Sequence, residues 1–399
     1  MPRLQTRTAD GGASGAAATG SVRSVRSGRS TGPRAPRAAR YPRSAAPPVL
    51  VEVRRGQFVE SRHRGHVVQV DVAGRIERGI GDPDLLVSLR SAVKPFALVA
   101  LVHEGAAEAF QLSDTELAVM AASHTGEDAH VRTLQGVLRR AGLSQTLLAC
   151  GSDGMPLDAL TAARLARDGE APGPIRHMCS GFHVASLLLA RHADWTLADY
   201  WRPEHATQRT VADVVARIFG TTTAALRTAV DACGLLTYVF PLADIARAYT
   251  LLADPAGAAD TARLPLVPAL GRVREAMLAA PEMVGGTRDS TDTLLMRARP
   301  GMLLSKSGAE GLRGIGLLKG SRGEGSPAAG LAISIEDGDG HGRANRAVSI
   351  EALAQLGVLE QAQVERLIDL HRPAARDPRG IEVGRSEPAF ELAPISELA

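Results

Sequence analysis

The amino-acid sequence predicts a mixed α/β (α+β) protein, with an antiparallel sheet flanked by helices and interrupted by an inserted helical subdomain. Three observations lead to this class. Apolar and polar residues alternate over 49–78, as they do in half-buried strands. A helix-rich stretch follows, and after Gly285 short apolar runs separated by glycines again indicate strands. This order places both strand regions in one sheet, with the helical part inserted between them.

The N-terminal strands and the first helix are predicted from short apolar patterns. Val51–Arg54 and Val67–Val72 are predicted as strands, followed by a turn at Ala73–Gly74. Gly79–Asp84 is predicted as a loop. Phe96–Val102 is apolar without interruption, so the helix that contains it should be buried on all sides.

The helical part is predicted over about 105–280. Ser113 and Glu116 have the spacing of a capping box, which would start a helix over Leu117–Ala122. Apolar residues then recur at helical spacing over 131–138. The same periodicity predicts further helices at 158–168, 181–193, 209–218, 240–252 and 263–281.

The C-terminal part returns to strands. The strands predicted for one antiparallel sheet are Gly301–Ser305, Leu312–Leu318 and Ala329–Ile335. Ala344–Leu356 has the pattern of a helix, and a single folded domain is expected over 47–362. From Arg372 the chain is charged and contains prolines, so 372–399 is predicted to be a loose tail.

Charge is distributed unevenly along the chain. The net charge is +3, but residues 1–46 contain nine arginines and a single acidic residue, Asp10, which gives this segment +8 and leaves −5 for the rest. The segment is also rich in Ser, Ala, Gly and Pro, and we expect it to be disordered. The acidic remainder argues against a nucleic acid as partner.

Neither secretion nor membrane insertion is predicted. The N-terminal segment lacks the apolar core of a signal peptide, and no run of 18 apolar residues predicts a membrane-spanning helix. The three cysteines, Cys150, Cys179 and Cys233, are widely spaced, which is typical of reduced thiols and not of a disulfide framework. The expectation is a cytoplasmic protein that does not bind membranes.

Two short motifs predict nucleophilic catalysis. Ser91 and Lys94 lie three residues apart at the start of the buried helix, so the amine can reach the hydroxyl. A lysine in apolar surroundings loses its proton more easily and can activate a serine as a nucleophile. Far downstream, Lys306-Ser307-Gly308 follows an apolar run. An early S-x-x-K with a late K-[ST]-G is the combination used by serine β-lactamases and penicillin-binding proteins.

Seven stretches of this chain occur in the order in which a known family has them. They are Val59–Gly65, Arg90–Pro95, Ala122–Glu127, Cys179–His183, Asp231–Gly234, Gly286–Thr293 and Lys306–Gly311. Together they resemble the asparaginase II family, the rhizobial-type L-asparaginases, from about residue 48 to 362. The resemblance implies a fold similar to that of serine β-lactamases and glutaminases. It makes 47–362 the catalytic domain and implies hydrolysis of L-asparagine to L-aspartate and ammonia.

The resemblance implies two Ser–Lys pairs, Ser91 with Lys94 and Ser123 with Lys306. Ser91 would attack the side-chain amide carbon while Lys94 takes its proton, and an aspartyl ester would form as ammonia leaves. Ser123 would pass the proton to the leaving nitrogen, and Lys306 would keep positive charge near the developing oxyanion. Water would then hydrolyse the ester.

A substrate with one carboxylate and one ammonium group requires both signs of charge in its site. Arg90 is the candidate for binding the carboxylate, and Asp231 or Glu127 for binding the ammonium group. Four further residues of the shared motifs are also predicted to bind the substrate: Ser61, His63, His124 and Gly308.

The resemblance also implies a zinc ion beside the catalytic serines, bound by the cysteine and lysine of a C-S-G-K-H motif and by the cysteine of D-G-C-G. The cysteines are present as Cys179 and Cys233, but Phe182 stands at the lysine position and cannot bind a metal. His177 or His183 is the candidate for a third ligand, because imidazole and thiolate both suit zinc. The predicted chemistry itself requires no cofactor.

Two alternatives stay open. A glutaminase or a penicillin-recognising serine acylase would keep the chemistry and change the substrate. A catalytically impaired homologue that binds an amino acid or a metal, as a sensor, would keep the fold, and Phe182 favours this alternative. The four retained catalytic residues favour the enzyme. L-Asparagine is the expected small-molecule partner, and a homodimer is expected because homologues look dimeric.

Overall fold

The computed structural model describes residues 46–394, without 152–155, 157 and 341. The disordered extension predicted over 1–46 lies outside the described residues except for Ala46, and so does 395–399 at the end of the predicted tail. No helix in the described part is long and apolar enough to cross a lipid bilayer.

The described residues contain twelve strands in two antiparallel sheets. Their bounds are β1 (Val49–Arg55), β2 (Phe58–Asp71), β3 (Ile76–Ile80), β4 (Leu86–Ser88), β5 (Arg227–Val230), β6 (Leu236–Pro241), β7 (Leu303–Ser307), β8 (Leu312–Leu317), β9 (Ala329–Ile335), β10 (Ala374–Arg376), β11 (Glu382–Pro388) and β12 (Ala393–Pro394). The main sheet has the order β10-β11-β1-β2-β9-β8-β7, and β3 and β12 extend it beside β2. The small sheet has the order β4-β6-β5.

Strand β2 is the longest and connects the two halves of the main sheet. Its first half pairs with β1, and its second half pairs with β3 on one edge and with β9 on the other. The register between β1 and β2 shifts at two points, and such bulges bend a long strand. The sheet therefore curls around the helices that cover it.

Fifteen α-helices occur in the described residues. They are α1 (Lys94–His103), α2 (Ala106–Ala109), α3 (Asp114–Met120), α4 (Asp128–Arg140), α5 (Ala159–Asp168), α6 (Ser180–His192), α7 (Ala206–Ile218), α8 (Leu242–Ala253), α9 (Pro255–Ala258), α10 (Val267–Ala279), α11 (Pro281–Val284), α12 (Thr291–Ala298), α13 (Ala344–Gln355), α14 (Gln361–Arg366) and α15 (Ile368–His371). The mixed α/β class with an antiparallel sheet is thus confirmed.

Helix α1 is the centre of the helical part. It is buried from Lys94 to Val102, as the uninterrupted apolar sequence predicted, and it packs against α6, α7 and α10. Pro95 lies in its first turn. Proline is tolerated there because N–H groups of the first turn have no hydrogen-bond acceptor within the helix. This arrangement places a lysine side chain at the edge of a large apolar core.

Helices α8 and α13 cover the main sheet. Strand β9 is buried at every position, as expected for a strand with both faces covered. Helix α8 packs against β2, β8 and β9, and α13 packs against β1, β9 and β11. A Cβ atom at Gly316 would lie 2.9 Å from the Tyr249 carbonyl oxygen, so this glycine lets the α8 backbone approach the sheet closely.

The loose tail predicted for 372–399 is wrong in its described part. Strand β11 pairs with β1 from Val51–Pro388 to Arg54–Arg385, and β10 and β12 join the same sheet. Without β11, β1 would be an edge strand with unpaired backbone groups, so this pairing completes the sheet. The charged sequence misled because β11 alternates buried Gly384 and Ser386 with exposed side chains.

The helical part predicted over about 105–280 also needs correction. Strands β5 and β6 lie within it and form the small sheet with β4, in which β6 pairs with both β4 and β5, and α8 lies on the main sheet. The loop predicted at Gly79–Asp84 begins within β3, which ends at Ile80. Strand β5 gave no alternating signal because all four of its residues are exposed. The strand predicted at Val67–Val72 is the second half of β2, which begins at Phe58. The other predicted helices and strands agree with the structure to within a few residues.

Candidate active site

Ser91 lies in a short 3₁₀ turn, Arg90–Val93, that continues directly into α1. Arg90 has a backbone φ of 45°, in the left-handed region that non-glycine residues seldom adopt. Its N–H donates to Thr237 Oγ1 at 2.9 Å, which fixes the turn to the small sheet. Backbone strain of this kind is common at functional sites. Ser91 is only 8% exposed, and Lys94 begins α1 one turn later.

The Lys94 side chain is directed at Ser123. Its Nζ donates to the Ala122 carbonyl oxygen at 2.7 Å, to Ser123 Oγ at 3.2 Å and to Cys179 Sγ at 3.1 Å. No hydrogen bond among the described residues involves Ser91 Oγ. The predicted Ser91–Lys94 contact is therefore not formed in this structure, although the two residues share one turn of the chain.

Lys306 reaches Ser123 from the sheet. It lies in β7, is fully buried, and its Nζ donates to Ser123 Oγ at 2.9 Å and to the Ser307 carbonyl oxygen at 2.8 Å. Burial lowers the pKa of Lys306 to about 7, against the carboxylate of Asp292, which raises it, and with help from the positive charge of Lys94. Near neutral pH this amine can thus gain or lose a proton at little cost.

Ser123 is shared by both lysines. It lies between α3 and α4, and its N–H donates to the Val284 carbonyl oxygen at 3.1 Å. Thr125 is attached to the same segment, because its N–H donates to Gly285 O at 2.8 Å. Ser123 does not cap the following helix, because α4 begins at Asp128 and Glu127 occupies its N-cap. Its hydroxyl therefore accepts hydrogen bonds from the two amines and lines the cavity beside them.

A buried carboxylate lies behind Lys306. Asp292 accepts hydrogen bonds from Ser305 Oγ at 2.7 Å, from Ser307 N at 2.9 Å and from Ser307 Oγ at 2.7 Å, and forms an ion pair with Arg313. Burial raises the pKa of Asp292, but the charges of Arg313 and Lys306 and these hydrogen bonds outweigh it and lower the pKa to about 2. Asp292 thus fixes the backbone and hydroxyl of Ser307 beside Lys306.

A cavity of about 460 Å³ opens beside Ser123, between the first turns of α5, α12 and α13 and the ends of β7 and β8. Ser307 and Gly308 line it, as do three arginines, Arg288, Arg313 and Arg346. A Cβ atom at Gly308 would lie 2.6 Å from the Leu89 carbonyl oxygen, so the close approach of β7 to the Ser91 turn requires glycine. The volume suits a small polar molecule.

Arg90 and Asp231, predicted to bind opposite charges of the substrate, bind each other. Arg90 Nε donates to Asp231 Oδ1 at 2.6 Å, and neither residue lines the cavity of Ser123. Glu127, the other candidate for the ammonium group, accepts from Thr287 N at 2.8 Å, from Thr287 Oγ1 at 2.7 Å and from Thr125 Oγ1 at 2.8 Å. These bonds outweigh burial and lower the pKa of Glu127.

The remaining predicted substrate-binding residues are also bound to other side chains. His63 Nδ1 is 2.6 Å from Asp337 Oδ2, and Arg343 donates to His63 Nε2 at 2.9 Å and to Ser61 Oγ at 3.4 Å. This cluster does not line the cavity. His124 is fully buried, its Nε2 is 2.9 Å from Ser180 Oγ, and burial keeps its pKa well below the usual value.

The predicted zinc ligands give an incomplete donor set. Among the described residues, no three His, Cys, Asp or Glu side chains lie close enough to hold a metal ion. His177 Nδ1 accepts from Cys179 N at 3.1 Å, and His183 Nδ1 is 2.6 Å from Tyr200 OH. Zinc sites in proteins use three or four ligands. The residues as placed therefore do not fit zinc.

Cys179 and Cys233 interact as thiols. A hydrogen bond from Cys233 lowers the pKa of Cys179, burial opposes this effect, and the positive charge of Lys94 adds to it. The Cys179 sulfur thus faces the Lys94 amine at 3.1 Å where the related motif would hold a metal. Phe182 is buried in the first turn of α6, three residues after Cys179.

Sequence reasoning missed Arg288, Arg346 and the roles of Asp292 and Arg313. Asp292 was inside a shared motif, but its buried ion pair joins residues that are remote in the sequence. The composition contains one usable signal. The chain has only three lysines among 46 basic residues, Lys94, Lys306 and Lys319, and two of them meet at Ser123. A residue type that is rare in a chain and gathered at one point indicates a chemical role.

The fold and the site together define a mixed α/β protein with a serine hydroxyl held between two lysine amines. Residues 51–388 match the L-asparaginase II family, and the chain belongs to that family. The match includes the serine–lysine turn, Ser123 and the Lys306 strand, and it extends into β11, past the end of the predicted catalytic domain at 362.

Solved structures of a protein named Mglu are similar to the chain at low identity. A crystal structure of Mglu in its L-glutamate binding form, in the presence of 4.3 M NaCl, is 15% identical, with 73% of this chain and 58% of that chain covered and a TM-score of 0.33. A second structure of Mglu is 16% identical, with 74% and 68% covered and a TM-score of 0.33. No curated protein sequence matches the chain.

Proposed function

We propose that the chain is an L-asparaginase, an amidohydrolase that converts L-asparagine and water to L-aspartate and ammonia through a serine ester. The observation that carries this proposal is the position of Ser123 Oγ, 3.2 Å from Lys94 Nζ and 2.9 Å from Lys306 Nζ. Membership of the L-asparaginase II family supports the substrate. We also propose that the fold is similar to that of serine β-lactamases and glutaminases.

In the first step, Ser91 Oγ attacks the side-chain amide carbon of asparagine and its proton passes to the neutral amine of Lys94. The C–N bond breaks as the leaving nitrogen takes a proton from Ser123 Oγ, and ammonia is released. Lys94 then returns a proton to Ser123 across the 3.2 Å contact. A turn of the Lys94 side chain from Ser123 towards Ser91 is needed to begin this step.

In the second step, water attacks the ester carbonyl carbon, and its proton passes through Ser123 to one of the two lysines. The ester bond breaks, Ser91 Oγ takes that proton back from the lysine, and aspartate leaves. Lys306 suits this exchange because its pKa of about 7 makes both protonation states accessible. The protonated form of Lys306 also places a positive charge beside the Ser123 hydroxyl. This charge would stabilise the negative charge that develops on the carbonyl oxygen of the ester.

The first test measures ammonia release from L-asparagine by the full chain and by its Ser91→Ala variant. Release by the parent and a loss of at least about 1,000-fold in the variant are expected for a covalent nucleophile. Glutamine and a penicillin-type acyl donor, assayed in parallel, test the alternative substrates. A folded parent that releases no ammonia from asparagine contradicts the proposal.

Phe182 favours a second candidate, a binding protein that senses an amino acid. This buried phenylalanine replaces the lysine that the related motif uses as a metal ligand. A sensor would bind asparagine tightly and release no ammonia, and calorimetry of the parent chain distinguishes it from the enzyme. A cytoplasmic location and a homodimer stay predictions that cell fractionation and light scattering would check.

A further inference from the structure

The three arginines that line the cavity beside Ser123 differ in their partners. Arg288 Nε and Nη2 donate to Asp158 at 2.9 and 2.7 Å. Arg313 is buried in an ion pair with Asp292 and also donates to Asn345 Oδ1 at 2.7 Å. Arg346 forms no ion pair or side-chain hydrogen bond with any residue in the described part of the chain. It is the cavity arginine whose charge is left for a ligand.

Arg346 is held in place by its helix. It lies in the first turn of α13, where the N–H groups of Ala344 and Asn345 both donate to Asp339 at 2.9 Å. Its side chain is half-buried and faces the same cavity as Ser123. A guanidinium group that is partly removed from water and lacks a counter-ion binds a carboxylate well, because its fork of N–H groups matches two oxygens.

The cavity offers the opposite charge as well. Asp289 and Glu310 line it, and neither forms an ion pair within the described residues. By contrast, Arg90, the predicted carboxylate ligand, is neutralised by Asp231 at 2.6 Å and lines a different cavity beside β5. Glu310 lines both cavities. The two sites therefore differ in the partner that they offer to a carboxylate: Arg346 has no counter-ion among the described residues, whereas Arg90 is neutralised by Asp231.

We infer that Arg346 binds the α-carboxylate of the amide substrate and so selects amino-acid amides over simple amides. This inference rests on the proposed function, since it concerns the substrate of that same site. It makes Arg346 a specificity-determining residue, with the reacting amide placed towards Ser123 and Lys306 and the carboxylate placed towards α13.

The test uses three amides that differ only in their charged groups. L-Asparagine has both groups, succinamate lacks the ammonium group, and 3-aminopropanamide lacks the carboxylate. Ammonia release is measured for the full chain and its Arg346→Gln, Arg346→Lys and Arg288→Gln variants. Arg366→Gln, at an exposed position of α14, is the control for loss of one arginine charge. Dissociation constants for the same amides are measured by calorimetry in the Ser91→Ala background.

The expected result is a pattern across the amides. Arg346→Gln should lower kcat/KM for L-asparagine and succinamate by about 10- to 100-fold, mostly through KM, because a charge-assisted pair is lost. The value for 3-aminopropanamide should not change. Arg346→Lys should recover part of the loss, since it keeps the charge but not the fork of N–H groups.

Other patterns overturn the inference. An equal loss for all three amides would mean a structural role for Arg346, and a selective loss in Arg288→Gln alone would place the carboxylate at Arg288. A parent that binds the carboxylate-containing amides through Arg346 but releases no ammonia would refute the proposed function and leave this inference standing. A parent that neither binds nor hydrolyses them would refute both.

Discussion

The two lysines that share Ser123 have different surroundings. Lys306 is backed by the carboxylate of Asp292, which is itself paired with Arg313, so fixed charges of known sign surround it. Lys94 is backed by the Ala122 carbonyl oxygen and the Cys179 sulfur, 2.7 and 3.1 Å from its Nζ. A carboxylate network and a thiol pair thus support two amines that meet at one hydroxyl. The comparison shows that two lysines in one site can differ in their electrostatic surroundings because different groups contact each amine.

The largest expected effect comes from removing either amine. Lys94→Met and Lys306→Met should each lower kcat for L-asparagine by about 100- to 10,000-fold, the usual contribution of a proton-transferring group. Steady-state ammonia release gives the ratio. Lys319→Met is the matched control, since this third lysine is mostly exposed and pairs with Asp254 at 3.0 Å. If Lys94→Met kept its activity and Lys306→Met lost it, Lys306 would be the general base and Lys94 would not be required.

The next effect concerns the carboxylate network. Asp292→Asn leaves Arg313 as an unpaired buried charge, so the free energy of unfolding at pH 7 should fall by about 3–5 kcal/mol. Chemical denaturation measures it. Asp168→Asn, which alters an exposed ion pair on α5, should leave the free energy nearly unchanged.

The same network predicts how acid affects stability. The pKa of Asp292 is lowered from 3.8 to about 2, so its stabilisation is present above pH 4 and is lost as the pH falls towards 2. By linkage, this pKa difference contributes about 2.5 kcal/mol to the free energy of unfolding at pH 7. The parent should lose this increment between pH 4 and 2, and Asp292→Asn should not. If the free energy of unfolding fell equally with pH in both proteins, Asp292 would not be the group that causes the loss of stability in acid.

The smallest expected effect lies on the thiol side. Because Cys179 and Cys233 lack a third close donor among the described residues, neither zinc nor a chelator should change the Tm of the full chain. Differential scanning calorimetry with each addition measures this. A chelator that lowers the Tm, with recovery on adding zinc, would show that the site rearranges to bind metal through His177 or His183.

Local patterns in the sequence were sufficient for much of the fold and for the central residues of the site. The burial of α1 follows from its apolar run, and short motifs with a chemical meaning indicated Lys94 and Lys306, which meet at Ser123. Each of these signals is contained within a few consecutive residues. The role of Ser91 as nucleophile stays a prediction.

Contacts between remote segments had no such signal. The Arg90–Asp231 pair joins a 3₁₀ turn to the end of β5, and nothing near Arg90 in the sequence indicates that its charge is neutralised. Arg346 reaches the cavity only because Asp339 fixes the first turn of α13 there. The direction of Lys94 likewise depends on Ala122 and Cys179, which come from two other elements.

The pairing of β1 with β11 has a consequence for how the protein is made. Val51 is among the first residues of the sheet to leave the ribosome, and its partner Pro388 is among the last. Until that late segment emerges, β1 presents an open edge that another nascent chain could occupy. Completion of the sheet must therefore wait for almost the whole polypeptide, and so many long-range strand pairings favour slow folding. A chain cut short before β11 keeps Ser91, Ser123 and both lysines beside Ser123, and loses the strand that closes its sheet.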